Sequence, residues 1–448
     1  MSSRMVAQKF EESVRRCVTR RLSRKFHYKH PAKWASSHLN TVIILLCFFL
    51  LLVTFWENTT HGFAFLASRP PGLFVRNVHS LRRYLAVAAA PDPPLNTFLT
   101  LEDSDAWYCS EFQRQGSYRR RSFEEWVRAN ASDEEVFCAA HRAALQPLPE
   151  ASGTPPRVAF LFMVRGPIPL EPLWRKFFQG HESLYSIYVH PGGSNYSYSN
   201  NSIFHQRQIP SKPVGRLAIT MPEAQRRLLA YALLDSTVPN AWFSLVCDAA
   251  IPVRSFGFVY NYLMNSELSF VEAFLAWEWW RQGWTTETRQ LRDDVMRKGE
   301  AWFSVHRRHA GLIVGDFFVF PKFKEHWREG VISVEVYLPT LLNIVDPLGI
   351  ANHSTTYVNW SNPETESHPV MYTSANFTKS TILAIQNQTQ NTDGMYAMST
   401  RVLGWDNEES CVYNGVPNSS CWLFARKFSG EPEDVEAILG FTDILIGD

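Results

Sequence analysis

The sequence lacks the short motifs of several common enzyme classes. It contains no Cys-x-x-Cys or His-Glu-x-x-His spacing, so neither a zinc finger nor a zinc protease of that type is supported. It contains no Gly-x-Gly-x-x-Gly or Gly-Lys-Ser/Thr loop, which argues against a dinucleotide enzyme and a P-loop phosphotransferase. Internal repeats and low-complexity tracts are also absent. What is present is a chain of 448 residues, enough for one large domain or two smaller ones.

Charge is distributed unevenly, although the net charge is only +1. The segment 1–38 carries ten Lys and Arg residues against two Glu residues, and the uncharged apolar run 39–56 follows it directly. That run is long enough to nearly span a thin membrane, and it starts too late for a cleaved signal peptide. The positive-inside rule therefore predicts a cytosolic tail (1–38), a transmembrane signal-anchor (39–56) and a lumenal remainder, which is type II topology.

Glycosylation sequons test this orientation independently, because N-glycans are added only on the lumenal side. All Asn-x-Ser/Thr triplets lie after the apolar run. They begin at Asn58, Asn130, Asn195, Asn200, Asn352, Asn359, Asn376, Asn387 and Asn418. Their one-sided placement supports a lumenal location for residues 57–448.

Five of the seven cysteines lie after the apolar run, in what would be an oxidising compartment. Cys411 and Cys421 flank a turn-rich segment and are predicted to form a disulfide. Cys109 and Cys138 are a second predicted pair, which leaves Cys247 unpaired among apolar neighbours.

The segment 57–156 is interpreted as a lumenal stem, and the pattern changes at Arg157. Continuous apolar runs at 158–164, 184–190 and 242–246 are typical of buried strands. Helical segments lie between them, one at 172–178 and one beginning with a predicted capping box at Thr220.

Alternating buried strands and helices predict an α/β fold with a mostly parallel sheet. The ligand site of such a sheet lies beyond the carboxyl ends of its strands. This places Val164, Arg165, His190 and Asp248 near a nucleotide-binding crevice.

Several segments in a fixed order carry a resemblance to a known family. They include RVAFLFMVRGPIPLEPLWRKFF, IPVRSFGFVYNYLMNSELSFVEAF, VEVYLPTLLNI and CWLFARKF, and together they extend over 157–428. In these segments the chain resembles the plant core-2/I-branching N-acetylglucosaminyltransferase-like family, glycosyltransferase family fourteen.

The resemblance implies a GT-A-type nucleotide-sugar-binding domain over 157–448, in the lumen of the Golgi. It implies inverting transfer of N-acetylglucosamine or glucuronic acid from a UDP-sugar to a glycan hydroxyl, with no metal cofactor. Asp103-Ser104-Asp105 has the form of a metal-binding Asp-x-Asp motif. It precedes the first strand, and we interpret it as polar surface sequence.

The resemblance also assigns roles to individual residues. Glu335, expected on a strand, matches the family's catalytic base. Arg426 and Lys427 match a site for the donor diphosphate, and a solvated basic pair is the alternative. Asp248 is expected to contact the donor or to cap a helix.

Arg297, Lys298 and Trp302 resemble a segment near the acceptor. A structural turn with core aromatics is the alternative reading of that segment.

The sequence departs from the family pattern beside the predicted base. The family's Asp and His are replaced by Val334 and Val336, and tryptophans fill the acceptor-side loop 275–292. Two other functions therefore stay open: an inactive, membrane-anchored glycan-binding or scaffold protein, and a secreted hydrolase. The hydrolase is disfavoured because no second carboxylate is paired with Glu335 in a recognisable spacing.

Overall fold

Runs of apolar residues build the sheet at the centre of the fold. The computed structural model describes residue 109 and the ranges 121–148, 154–193, 196–275, 295–326, 333–361, 368–391 and 410–447. All of these residues belong to one compact unit, Asp92–Asp448. The predicted tail and anchor lie outside the described residues.

The described strands are β1 (Arg157–Val164), β2 (Tyr185–Pro191), β3 (Asn240–Cys247), β4 (Ala250–Pro252), β5 (Phe274–Leu275), β6 (Arg297–Lys298), β7 (Ser304–His306), β8 (Thr356–Val358) and β9 (Phe424–Arg426). The described α-helices are α1 (Phe123–Arg128), α2 (Asp133–Leu145), α3 (Glu171–Phe178), α4 (Thr220–Leu234), α5 (Phe256–Met264), α6 (Arg307–Val314), α7 (Val319–His326), α8 (Tyr337–Val345), α9 (Lys379–Asn387), α10 (Pro432–Leu439) and α11 (Thr442–Ile446). Short 3-10 helices occupy Ser333–Glu335 and Pro347–Gly349.

The main sheet has the strand order β2-β1-β3-β7. Strand β1 pairs in parallel with both β2 and β3, and β7 is antiparallel to β3. The chain therefore leaves β1 towards β2 on one side and reaches β3 on the other. A crevice opens at such a switch point, beyond the carboxyl ends of the strands. The prediction of a mixed α/β fold with a parallel sheet flanked by helices is confirmed.

A second sheet continues directly from the first. Strand β4 begins three residues after β3 ends, and β9 lies between β4 and β8. This arrangement brings residues near the carboxyl end of the chain to the end of the main sheet: Arg426 lies opposite Ala250 of β4 and Val358 of β8.

Aromatic side chains fill the space between the sheets and the helices. Phe160 of β1 packs edge-to-face against Trp174 and Phe178 of α3 and against Phe424 of β9. All three partners are fully buried or nearly so. Burying aromatic side chains of this size stabilises the fold by about 2–3 kcal/mol each, so the junction of the two sheets is a rigid platform.

Helices α1 and α2 precede β1, in the segment that the sequence assigns to a stem. Ser122 and Glu125 form a capping box at the start of α1, and Ser132 caps α2. Trp126 and Phe137 are buried. Helix α2 is joined to Cys109 by the disulfide Cys109–Cys138. Ordered packing therefore starts well before Arg157.

Two local predictions about secondary structure are wrong. Helix α4 begins at Thr220, but Ile219 is its N-cap and no side chain caps it; the Thr220 hydroxyl accepts a hydrogen bond from the Gly215 N–H instead. Glu335 ends a 3-10 helix instead of lying on a strand.

Candidate active site

The ends of β1 and β3 bring two predicted site residues together. Arg165 directly follows β1, and Asp248 directly follows β3. The Arg165 Nε donates a hydrogen bond of 2.9 Å to Asp248 Oδ2. This hydrogen bond and the charge of Asp248 raise the pKa of Arg165. The Val164 carbonyl accepts the Gly192 N–H at 2.7 Å, which holds the loop after β2 at the same end of the sheet.

Strand β9 delivers two more cations to this end. The Arg426 guanidinium lies over the Trp302 ring, 4.6 Å from its centroid. Lys427 follows it, and its carbonyl accepts the Tyr372 N–H at 2.8 Å. Burial lowers the pKa of Lys427, and the charges of Arg426, Arg165 and Arg216 lower it further. Lys427 is thus close enough to three arginines for their charges to act on it.

These four residues, Arg165, Arg216, Arg426 and Lys427, are called the cation cluster below. Within the described part of the chain, Asp248 is the only carboxylate that forms a salt bridge with a member of the cluster. The buried Nε of Arg426 has no hydrogen-bond partner there. Guanidinium and ammonium groups gathered without matching carboxylates form a site suited to an anion with several oxygens.

His190 lies deeper than the sequence analysis expects of a donor-binding residue. Its side chain is fully buried, and the Lys212 N–H points to its Nε2 at 3.5 Å. Burial and the charge of Arg227 lower the pKa of His190 to about 4. The imidazole therefore stays neutral at physiological pH and supports the loop after β2 from below.

Glu335 lies in a defined, largely buried pocket. Lys298 Nζ donates a hydrogen bond of 2.9 Å to Glu335 Oε2, and the Gly299 N–H donates one of 2.9 Å to the Glu335 carbonyl. The carboxylate is thus fixed by the β6 segment, 37 residues earlier in the chain. Val334 and Val336 are buried in the core, so the two replaced family positions contribute packing.

Glu300 provides a second carboxyl group close to Glu335. It is not among the site residues predicted from the sequence. It is only 6% exposed, and Trp360 Nε1 donates a hydrogen bond to its Oε1 at 2.5 Å. Burial and the charge of Glu335 raise the pKa of Glu300 to about 7. A glutamate directly before the apolar residues Ala301 to Phe303 is the one signal in the sequence that points to it.

The three predicted acceptor-side residues contact different parts of the structure. Lys298 contacts Glu335, and Trp302 contacts the Arg426 guanidinium. Arg297 lies at the same strand but turns its backbone N–H to Thr340 and a guanidinium N–H to the Met296 carbonyl. Trp302 therefore supports the cation cluster, and its acceptor-side role stays a prediction.

Comparison with known proteins agrees with this arrangement. A family model described as Core-2/I-Branching enzyme matches residues 158–386. The chain belongs to the Core-2/I-branching enzyme family. The rice protein Glycosyltransferase BC10 (Oryza sativa subsp. japonica) is 31% identical over 327 residues, which cover 65% of this chain and 78% of that protein. The chain is accordingly a glycosyltransferase, and the family implies a nucleotide-sugar donor and a glycan acceptor.

The disulfide predictions for this glycosyltransferase are confirmed. Cys411 is bonded to Cys421 and Cys109 to Cys138, and Cys247 is free and buried. The Cys411–Cys421 loop precedes β9 directly, so the bridge restrains the chain just before it reaches the cation cluster.

Other predicted features fall partly outside the described residues. Asn58, Asn195, the pair Asp103 and Asp105, and most of the tryptophan-rich loop lie there. The described sequon residues Asn130, Asn200, Asn376, Asn387 and Asn418 are exposed, whereas Asn352 and Asn359 are half-buried. The described ranges contain neither a cluster of three metal-binding side chains nor a helix long and apolar enough to cross a membrane.

Proposed function

We propose that this enzyme is an inverting GT-A-type glycosyltransferase that moves a sugar from a UDP-sugar to a glycan hydroxyl without a metal ion. In the proposal it is a type II protein of the Golgi membrane, and the donor sugar is N-acetylglucosamine or glucuronic acid. The observation that carries the proposal is the segment 298–302. It contacts a buried carboxylate, Glu335, at one end and the guanidinium of Arg426, which forms no salt bridge among the described residues, at the other.

The cation cluster suits the donor diphosphate. A UDP-sugar carries two negative charges on adjacent phosphates, and these charges grow on the leaving UDP as the bond to the sugar breaks. Arg426 and Lys427 supply positive charge for this step. β9 and the stacked Trp302 ring hold Arg426 in place, and the backbone of Lys427 is held by the Tyr372 N–H. Groups held in place in advance stabilise a developing charge without reorganisation.

Glu335 supplies the base in this proposal. Its carboxylate accepts the proton of the acceptor hydroxyl while that oxygen attacks the anomeric carbon, and UDP leaves with the electrons of the broken bond. The 2.9 Å contact with Lys298 orients the carboxylate. A base must be held in a defined position to reach its proton in the transition state.

The alternative is a glycan-binding protein with the same fold and no turnover. It was motivated by the apolar residues on both sides of Glu335. Val334 is 4% exposed and Val336 is 0% exposed, so both side chains pack around Glu335. Turnover of a UDP-sugar decides between the two alternatives.

Glu335→Gln tests the proposal. The full-length chain in detergent is assayed for UDP release from a panel of UDP-sugars, with a mixed plant glycan as acceptor and EDTA present. We expect acceptor-dependent turnover with one donor, and a loss of about 10³-fold or more in the variant. UDP affinity should stay within a few-fold, since Glu335 is not a ligand of the diphosphate.

The conservative control is Glu325→Gln, which removes an exposed carboxylate on α7 and should leave turnover unchanged. Full activity in Glu335→Gln would refute the assignment of the base. Activity that disappears in EDTA and returns with a divalent metal would refute metal independence. UDP-sugar binding without turnover in the wild-type chain would favour the glycan-binding alternative.

A further inference from the structure

Alternate residues along the segment 298–302 contact three different parts of the site. Lys298 bonds to Glu335, Glu300 accepts the Trp360 N–H, and Trp302 stacks on Arg426. The charges of Glu335 and Arg426 both act on the Glu300 carboxyl. The Glu300 carboxyl therefore lies near the proposed base and near the proposed diphosphate ligand.

The surroundings of Glu300 restrict its charge. The charged groups acting on it are Glu335 from the 3-10 helix, Lys298 from β6 and Arg426 from β9. Its own N–H donates to Glu272 Oε2 at 2.8 Å, so a second buried carboxyl lies behind its backbone. Among the described residues no lysine or arginine forms a salt bridge with Glu300, and Trp360 alone donates to its carboxyl.

An ionised Glu300 and a bound diphosphate would compete for the same cation. The negative charge of Glu300 offsets part of the positive charge of Arg426, whereas a protonated Glu300 leaves Arg426 available to the phosphate oxygens. Binding of a dianion close to Glu300 favours its protonated form for the same reason.

We propose that Glu300 couples donor binding to pH: its carboxyl is protonated when the diphosphate is bound, and its ionisation weakens that binding. Glu300 is a positioning residue that acts through Arg426, and no bond is made or broken at it. The inference rests on the proposed function, because it takes the cation cluster as the donor diphosphate site. Burial raises the pKa of Glu300 to about 7, which puts this coupling in the physiological range.

Linkage gives the direction of the effect. If the protonated form binds the donor more tightly, the donor must raise proton affinity by the same factor. Donor binding near neutral pH is therefore accompanied by proton uptake, and donor affinity falls as the pH rises through the range in which Glu300 ionises.

The test uses UDP-N-acetylglucosamine as the probe, because its phosphodiester groups do not titrate in this range. Binding to the full-length chain is measured by calorimetry at about pH 6 and about pH 8, and near pH 7 in buffers with different ionisation enthalpies. We expect affinity to be roughly fivefold or more weaker at the higher pH, with proton uptake near neutrality.

Glu300→Gln should remove both effects. The amide imitates the protonated carboxyl, so the variant should bind at the higher pH as tightly as the wild-type chain binds at the lower pH. A purely structural role of Glu300 would instead weaken binding equally at both pH values. The control is His368→Asn, because His368 contacts Arg216 at 3.2 Å and histidine is a common source of pH dependence. This control should keep the pH dependence.

A second measurement needs no folded Glu300 variant. The indole N–H signal of Trp360, assigned with Trp360→Phe, is followed by NMR against pH. It should shift with a midpoint near neutrality, and the midpoint should rise when UDP-N-acetylglucosamine is added. A signal that does not move overturns the inference, as does pH-dependent binding that Glu300→Gln leaves intact. Absence of binding at every pH would instead refute the proposed donor site and, with it, the coupling.

Discussion

The molecule contains two groups of basic residues that differ in how they are paired with carboxylates. In α4, Arg227 is 2% exposed and its guanidinium donates to both Asp133 oxygens, at 2.9 and 2.6 Å. In the cation cluster, neither Arg426 nor Lys427 forms a salt bridge with a carboxylate among the described residues. An isolated charge is costly to bury, so the fold satisfies its structural cations. Arg227 is satisfied by the Asp133 carboxylate, and Arg226 by the backbone carbonyls of residues 313, 314 and 316. Cations that lie together at the end of the main sheet without a salt bridge, as Arg426 and Lys427 do, are better explained by a ligand that supplies the negative charge.

The largest expected effect comes from removing charge at the unpaired group. Arg426→Gln with Lys427→Met should reduce kcat/KM by about 10³-fold, because two charge-assisted hydrogen bonds are worth about 4 kcal/mol together. Affinity for UDP, measured by calorimetry, should fall by a similar factor, while folding stability should change little. Lys324→Met on α7 is the matched control, since this exposed lysine is not a member of the cluster and already pairs with Glu223. If the double variant binds UDP normally, unpaired charge is not a marker of the donor site.

Removing the carboxylate that pairs with Arg227 should lower the stability of the protein and leave donor binding intact. Asp133→Ala leaves Arg227 buried, and Glu223, at 3.6 Å, is then its one carboxylate partner among the described residues. We expect a loss of about 3 kcal/mol in the free energy of unfolding, measured by chemical denaturation. UDP affinity should be retained under conditions where the protein is folded. Glu134→Ala, at the next, exposed position of α2, should change stability by no more than about 0.5 kcal/mol.

Some features of the fold and the site can be predicted from the sequence, and others cannot. Strands β1 to β3 are predictable because continuous apolar runs leave few alternatives, and the carboxyl-end rule correctly brings Arg165 to Asp248. Glu335 is misread because Val334 and Val336 give a strand-like alternation, while the fold uses both as core residues beside a 3-10 helix. That choice depends on packing against distant segments.

Glu300 shows the limit most clearly. Its one local signal is the apolar stretch 301–303 that follows it, which is too weak to distinguish it from a solvated glutamate. Its burial is completed by Trp360, 60 residues later, and its electrostatic partner Glu335 lies 35 residues away. Contacts of this separation follow from the tertiary fold, as does the pairing of Arg227 with Asp133, 94 residues apart. The family resemblance assigns roles to Glu335 and Lys427, but it assigns none to Glu300.

The smallest expected effect concerns Glu300. It is buried, as the paired Arg227 is, but it forms no salt bridge among the described residues, which it shares with Arg426 and Lys427. The pKa of Glu300 is raised from 4.5 to about 7, first by burial and then by the charge of Glu335. Between these two values the folded state holds more protons than the unfolded state. The contribution of Glu300 to stability is therefore fully present below about pH 4.5 and is lost as the pH rises to about 7.

The difference in the free energy of unfolding between Glu300→Gln and the wild-type chain should therefore change with pH. It should shift in favour of the variant by about 2 kcal/mol between about pH 5 and about pH 8. The comparison must be made as a difference between the two proteins. His190 titrates across an overlapping range with the opposite sign, because burial lowers its pKa to about 4 and its contribution is lost as the pH falls. Denaturant titrations of both proteins at both pH values cancel this common term. An equal stability difference at the two pH values would mean that Glu300 is ionised throughout, and the buried acid would then belong with the compensated charges of α4.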